Sequence, residues 1–385
     1  MLPGRIPALR LFSPLRVCNP RDRQHGKRNI TMDFASDNAA GASPRVLEAL
    51  LAANHGAVPA YGADSYSAHA KKMLNEVFER EVTAFFVTTG TAANALSLGA
   101  LCPPWGAVFG HHHAHIANDE CGAPELFTAG AKLVGVDGPN AKIDPAALRD
   151  TLKEFPVGIV RQVQPGALSV SQATECGTLY ACDEIAELSG IAHNAGMAVH
   201  MDGARFANAL VAQACTPAQM SWQAGIDVLS FGATKNGTFA CEAVIFFDAM
   251  RAKDFAYQCK RGGHTLSKGR LLGAQMAAYL EGGHWLDLAR TANAHAAALA
   301  AGLQDIAGVR LAWDAPANQI FAVLPRAADE ALKSAGARYY DWGTRGLAAS
   351  QALQSDEVFI RLVTSFATER EDVQRFVRTV QEAVG

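Results

Sequence analysis

The chain has 385 residues, 49% of them hydrophobic, and 34 Lys and Arg against 37 Asp and Glu give a formal charge of −3. That length and apolar share can bury a large core split over more than one domain, and the near balance of charge argues against a nucleic-acid or anionic-membrane partner. No apolar stretch approaches the roughly 18 residues that suggest a membrane span; the eight cysteines contain no C-x-x-C pair, which argues against a zinc ribbon or redox dithiol and fits reduced thiols in the cytoplasm.

Residues 1–32 form a basic extension, with Arg5, Arg10, Arg16, Arg21, Arg23, Lys27 and Arg28 against the single acid Asp22. It is expected to be disordered and outside the fold, either as a targeting presequence or as sequence upstream of a true start at Met32. Short apolar runs then alternate with helical patches. Strands are expected at 84–90, 107–110, 131–137, 158–164, 197–203, 227–232 and 242–247, separated by patches such as TAANALSLGAL and CDEIAELSGIAHNAG. The rhythm is that of an α/β fold, a mostly parallel central sheet flanked by helices, which binds ligands beyond the carboxyl ends of its strands. After a long helix near 284–305 the segments VRLAW, NQIFAVLP and VFIRLVTSF, with a terminal helix from about 368, read as a smaller α+β domain. The expected division is 33–283 for the large domain, including its N-terminal arm, and 284–385 for the small one.

Charged and small residues stand where the expected strands end. Gly90 and Thr91 in TTGTAAN begin a helix after an apolar strand; this is either a phosphate seat, with free N–H groups and partial positive charge, or a plain capped turn. Asp202 in HMDGARFANAL ends the next informative strand, as a helix cap or as the ionised partner of a cation, with Arg205 three residues on. Lys235 in SFGATKNG is a structural cation or a reactive amine, since an apolar strand delivers it into a loop of small residues. The tract HHHAH at 111–115 raises a metal hypothesis that no carboxylate or cysteine pattern completes, so no metal is expected. A phosphate seat, a carboxylate and an amine together suit pyridoxal phosphate, whose aldehyde needs a lysine, whose ring nitrogen needs an anion and whose phosphate needs N–H donors.

The segments GTAAN, HIANDECGAPE, SQATECG, HMDGARFANA and SFGATKNG resemble the low-specificity L-threonine aldolases, and most of all their phenylserine aldolase branch. The likeness runs from SDN at residue 36 to the terminal helix. It implies the aspartate-aminotransferase fold (fold type I), pyridoxal phosphate as cofactor, and retro-aldol cleavage of L-threonine, L-allo-threonine or L-phenylserine to glycine and an aldehyde. It also implies a homo-oligomer, a dimer of dimers with active sites at subunit boundaries. By the same resemblance Lys235 is the Schiff-base lysine, Asp202 the partner of the pyridine nitrogen, and Gly90 with Thr91 part of the phosphate site. Arg205 contacts the cofactor's ring oxygen or the substrate, and His115 stacks on the ring. Arg361, in the apolar strand FIRLVTSF, suits a bidentate grip on a substrate carboxylate, with Ser36 as second contact. Tyr61 and Arg270 resemble residues lent across a subunit boundary, Arg270 to a phosphate; Ala63 replaces the acid usual near Tyr61. Many members carry a histidine a few residues before the Gly of SQATECG. Gln172 stands there and takes up no proton at neutral pH, which leaves a phosphate-held water, Asp119 or a loop histidine as the base. The rival readings are another fold-type-I enzyme, a β-eliminating lyase or aminotransferase, and a catalytically inactive vitamin-B6-binding protein.

Overall fold

The computed structural model describes residues 32–344, 347 and 351–385, so residues 1–31 of the expected extension 1–32 lie outside the described residues. The strands in chain order are β1 (Thr83–Val87), β2 (Gly106–His111), β3 (Lys132–Val136), β4 (Gln164–Ser171), β5 (Ala198–Gly203), β6 (Val228–Phe231), β7 (Glu242–Phe246), β8 (Arg310–Leu311), β9 (Gln319–Pro325), β10 (Tyr340–Asp341) and β11 (Glu357–Val363). The first seven form one sheet in the order β1-β7-β6-β5-β4-β2-β3. Only β7 runs against its neighbours β1 and β6; the remaining pairs are parallel. Connections between parallel strands carry helices, as they must to return the chain to the same end of the sheet.

Six of the seven expected strands fall where the sequence puts them. The run 158–164 does not: it is turn and loop, with Val160 fully exposed, and the strand begins at Gln164. The β-branched residues of GIVRQVQ match strand propensity, but Ile159 and Val160 are exposed and only Val163 packs against the core, so no strand neighbour holds the run. The less promising QPGALSVS inserts between β2 and β5 because Gly166 lets the backbone pass Cys102, whose Sγ would stand 2.4 Å from an added Cβ.

Register decides the site. Ser171 of β4 pairs with Asp202 of β5, which pairs with Ser230 of β6, so the carboxyl ends of three strands finish side by side. Beneath that rim, fully buried His200 bridges Ser169 Oγ (2.9 Å) and Ser230 Oγ (2.9 Å). Burial pushes it down to about 4 despite Asp202, so it is a neutral link holding the strands together.

The second sheet, β10-β11-β9-β8, is antiparallel. Its core includes Leu299, Leu303, Ile320, Leu324, Leu362 and Phe376, from the long helix His284–Gln304, two strands and the terminal helix Arg370–Val384. Met32, expected to belong to the extension 1–32, and Phe34, expected in the large domain, instead join this core, Phe34 edge-on to Phe376 at 5.2 Å, and the backbone of Asp33 bridges that of Arg338. Burying a ring such as Phe34 contributes about 1.5–3 kcal/mol; it also carries the following residues, 36 and 37, to the edge of the large sheet. No helix among the described residues is long and apolar enough to cross a membrane.

Candidate active site

Lys235 sits just past β6 in a tight turn anchored from below: Glu242 Oε2 accepts from Ala233 N at 2.6 Å, and Asn236 donates to Tyr279 Oη and the Trp285 carbonyl, both at 2.8 Å. A small recess at the rim is lined by Gly90, Asn94, Asp202, Ser230, Lys235 and Glu242, among others. The two groups singled out in the sequence, amine and carboxylate, thus face one space. Gly232, on the recess wall, is required there, since a Cβ would meet Ala204 Cα at 2.6 Å.

Asp202 is buried and held in place on both oxygens. Oδ1 accepts from Ala204 N at 3.0 Å and Oδ2 from Asn94 Nδ2 at 2.8 Å. Asn94 lies on the helix Gly90–Leu101, which also presents Gly90 and Thr91. Its cap, Thr89, accepts from Ala92 N at 3.1 Å, leaving the amides of Gly90 and Thr91 as the open donors of the first turn. Cap and anion seat are therefore compatible at this helix.

His115 begins a short helix beside this network, its Nδ1 2.8 Å from Glu120 Oε1. Glu120 also accepts from Asn94 Nδ2 at 2.8 Å, so a single amide joins it to Asp202. The hydrogen bond to Glu120 raises the His115 pKa above its ordinary value, against the opposing effect of burial. Ligand atoms of His115, Glu120 and Asp202 lie within 4.8 Å of one another, but the Asn94 amide donates into the space between the two carboxylates. In the histidine tract His111 Nε2 faces the Gly138 carbonyl at 3.0 Å and His112 faces Asp137 at 3.3 Å. Asp119 is exposed, at the end of the same short helix, and close enough to Arg361 for its charge to be felt there.

Arg205 is less free than its motif suggests. Its Nε and Nη2 donate to Asp37 at 2.8 and 2.9 Å, in a buried bidentate pair that also takes the Asn318 amide at 3.0 Å. Burial raises the Asp37 carboxyl, but Arg205, Lys235 and Asn318 outweigh it and hold the carboxyl below its usual range. Asp37 went unread in the sequence, although it is the middle residue of SDN; nothing local to that tripeptide names a partner 168 residues away.

Arg361 stands on β11, opposite Phe321 of β9. Its guanidinium lies 4.3 Å from the Trp342 ring centre and 5.5 Å from that of Tyr340, and its only hydrogen bond among the described residues is a long one, 3.4 Å, to the Ala35 carbonyl. Burial and the charge of Arg205 push it down to about 10, and its buried Nε has no partner. Ser36, beside it in the chain segment after Ala35, caps a short turn by accepting from Asn38 N at 3.1 Å. Tyr61 and Arg270 are elsewhere, together on an exposed face: Tyr61 is 60% exposed, and Arg270 donates to the carbonyls of His55 and Gly56.

Gln172 is fully buried and clamps the backbone of Tyr180 through both ends of its amide. It plays no part at the rim. Three residues on, Glu175 does: its Oε1 accepts from His115 N at 2.8 Å and from Ser171 Oγ at 3.0 Å. Burial first, then the charge of Asp202, pushes Glu175 up to about 7, while hydrogen bonds from its own backbone, His115 N and Ser171 pull the other way.

That shift has a thermodynamic sign. A carboxyl raised from 4.5 to about 7 takes up a proton on folding, so its contribution to stability is full below 4.5 and lost as pH rises through 7. Unfolding of the cofactor-free protein should therefore show the wild type losing about 2–3 kcal/mol relative to Glu175→Gln between pH 5 and pH 8. Parallel stability curves for the two proteins would contradict the shift.

A seven-stranded sheet in this order, with a lysine, an oriented carboxylate and an open helix start along one rim, defines the class. The fold is that of the pyridoxal-phosphate-dependent transferases. The serine palmitoyltransferase of Sphingomonas wittichii shares it at 14% identity, with a TM-score of 0.66 over 92% of this chain and 87% of that one. The beta-eliminating lyase family model matches residues 33–326. A low-specificity L-threonine aldolase of a Pseudomonas species is 40% identical over 86% of this chain and 95% of its own, and one of Pseudomonas aeruginosa is 39% identical over 92% and 99%. The threonine aldolase of Leishmania major superimposes with a TM-score of 0.84 at 29% identity, covering 92% of this chain and 99% of that one. The chain belongs to the beta-eliminating lyase family and, within it, to the low-specificity L-threonine aldolases.

Proposed function

We propose that this protein is a pyridoxal-phosphate-dependent aldolase that cleaves L-β-hydroxy-α-amino acids of the threonine, allo-threonine and phenylserine type to glycine and an aldehyde. The observation that carries the reading is the recess in which Lys235 and Asp202 meet, close to an arginine whose buried Nε has no partner.

The residues present fit the cofactor. Lys235 Nζ has no hydrogen bond or ion pair among the described residues, as an amine meant to hold an aldehyde covalently requires. Asp202, fixed on both oxygens, is the anion to keep a pyridine nitrogen protonated. The amides of Gly90 and Thr91 are the phosphate donors, and the ring of His115, anchored through Nδ1, is the stacking partner. When bound, pyridoxal phosphate supplies a ring that accepts the electron pair released from a bond at Cα. The chain's own work is positioning. Arg361, with Ser36, holds the substrate carboxylate and so decides which Cα bond stands ready to break. Arg205, already committed to Asp37 through two of its nitrogens, keeps Nη1 for the cofactor oxygen or the substrate.

Tyr61 and Arg270 act from a neighbouring subunit on this reading, within a dimer-built tetramer; their shared position on an exposed face, away from the recess, supports it. The division near residue 284 separates a large cofactor-binding domain from a small one that carries Arg361, and the free cysteines Cys102, Cys121, Cys176, Cys182, Cys215, Cys241 and Cys259 suit the cytoplasm. Incubating the full chain with threonine and with phenylserine should release acetaldehyde and benzaldehyde in equal amount to glycine. Keto acid or ammonia in place of an aldehyde would assign it to transamination or β-elimination, and no turnover with cofactor bound would leave a binding protein.

A further inference from the structure

Resting on the aldolase reading, we propose that Glu175 is the catalytic base that takes the proton from the substrate's β-hydroxyl group. The reaction needs such a group, and neither Gln172 nor an ordered pair at Asp119 supplies one: Gln172 is sealed around Tyr180, and Asp119 is exposed to solvent.

Glu175 is built into the site. It follows the end of β4, where Ser171 lies in register with Asp202, and its carboxyl bonds to the backbone of His115, whose ring feels the charges of Asp202 and Lys235. Two hydrogen bonds occupy Oε1. Oε2 is shut from solvent and has no partner, a state a buried carboxylate tolerates poorly and a carboxyl that exchanges a proton requires. The terminal torsion of a glutamate is soft, so rotation can exchange which oxygen accepts the bonds from His115 N and Ser171 Oγ. The titratable groups around it are Asp202 from β5, His115 at the start of its short helix, Tyr180 and the adjacent Cys176. Burial and the charge of Asp202 raise the carboxyl to about 7, where general acid–base groups work best.

The step balances without an added reagent. The β-hydroxyl proton moves to Glu175, the O–H pair becomes the second bond of the departing aldehyde's carbonyl, and the Cα–Cβ pair stays with the glycine fragment. That fragment takes one proton at Cα from water rather than from Glu175, and Glu175 returns the one it gained to water, so the step is proton-neutral.

The test is Glu175→Gln, which keeps an oxygen for His115 N and Ser171. We expect the cofactor's visible band to be retained and kcat for threonine and phenylserine cleavage to fall about 10²–10⁴-fold. Exchange of a glycine α-proton for deuterium, which has no hydroxyl to deprotonate, should stay within about threefold. In the cofactor-free protein, infrared difference spectra should show a protonated-carboxyl band that titrates near pH 7 and is missing from the variant. Cleavage within fivefold of wild type, equal loss of cleavage and exchange, or an unchanged infrared band each overturns the proposal. A wild type that exchanges glycine but releases no aldehyde refutes instead the aldolase reading on which it rests.

Discussion

Replacing Lys235 by alanine should remove the borohydride-reducible visible absorption of the protein and its aldol cleavage together. Deleting a covalent catalyst lowers turnover on the scale of about 10⁶-fold, because no other amine in the recess is free to take its place. Structure should survive: Lys235 makes no hydrogen bond or ion pair among the described residues, and the turn that carries it is held by Glu242 and Asn236. A Lys235→Ala protein that keeps both the band and the cleavage would end the assignment; one that loses its fold, measured by circular dichroism, would mean the side chain has a structural partner in the assembled enzyme.

Arg361→Ala should raise KM for β-hydroxy-amino acids while cofactor stays bound. Removing one partner of a buried charge pair costs about 2–5 kcal/mol, or roughly 25- to 4,000-fold in affinity. The free protein already pays for this residue: its guanidinium is desolvated, stacked on Trp342 and Tyr340, next to like-charged Arg205, with Nε unpaired. Such an arrangement is unfavourable until an anion arrives. Steady-state kinetics with equilibrium cofactor titration checks it. Loss of cofactor from Arg361→Ala, with the affinity for amino acids unchanged in what remains, would move the residue from substrate to cofactor binding.

The positions of Lys235, Asp202, Gly90 and Thr91 were legible because each stands at a strand end in a short run of small residues, where periodicity changes and a charge or a glycine is conspicuous. The error at 158–164 has the same origin in reverse. Local propensity favours GIVRQVQ, whereas the neighbours that decide strand formation lie far along the chain. Asn94, Glu120, Glu175 and Asp37 were not read as site residues although four quoted segments contain them. An amide or acid on a helix start or a loop looks like a solvated group until its surroundings are known.

The sequence by itself determined the α/β class, the alternating order of strands and helices, and which strand ends carry an amine, a carboxylate and a glycine-led helix start, since these follow from short-range periodicity and backbone chemistry. Only the tertiary structure decided the partnerships: Asn94 with Asp202 across 108 residues, Arg205 with Asp37 across 168, and Glu175 with the backbone of His115. Those contacts depend on strand register and on the low-dielectric space it encloses, and that space is also what moves a carboxyl to near neutrality; neither exists until the sheet has formed.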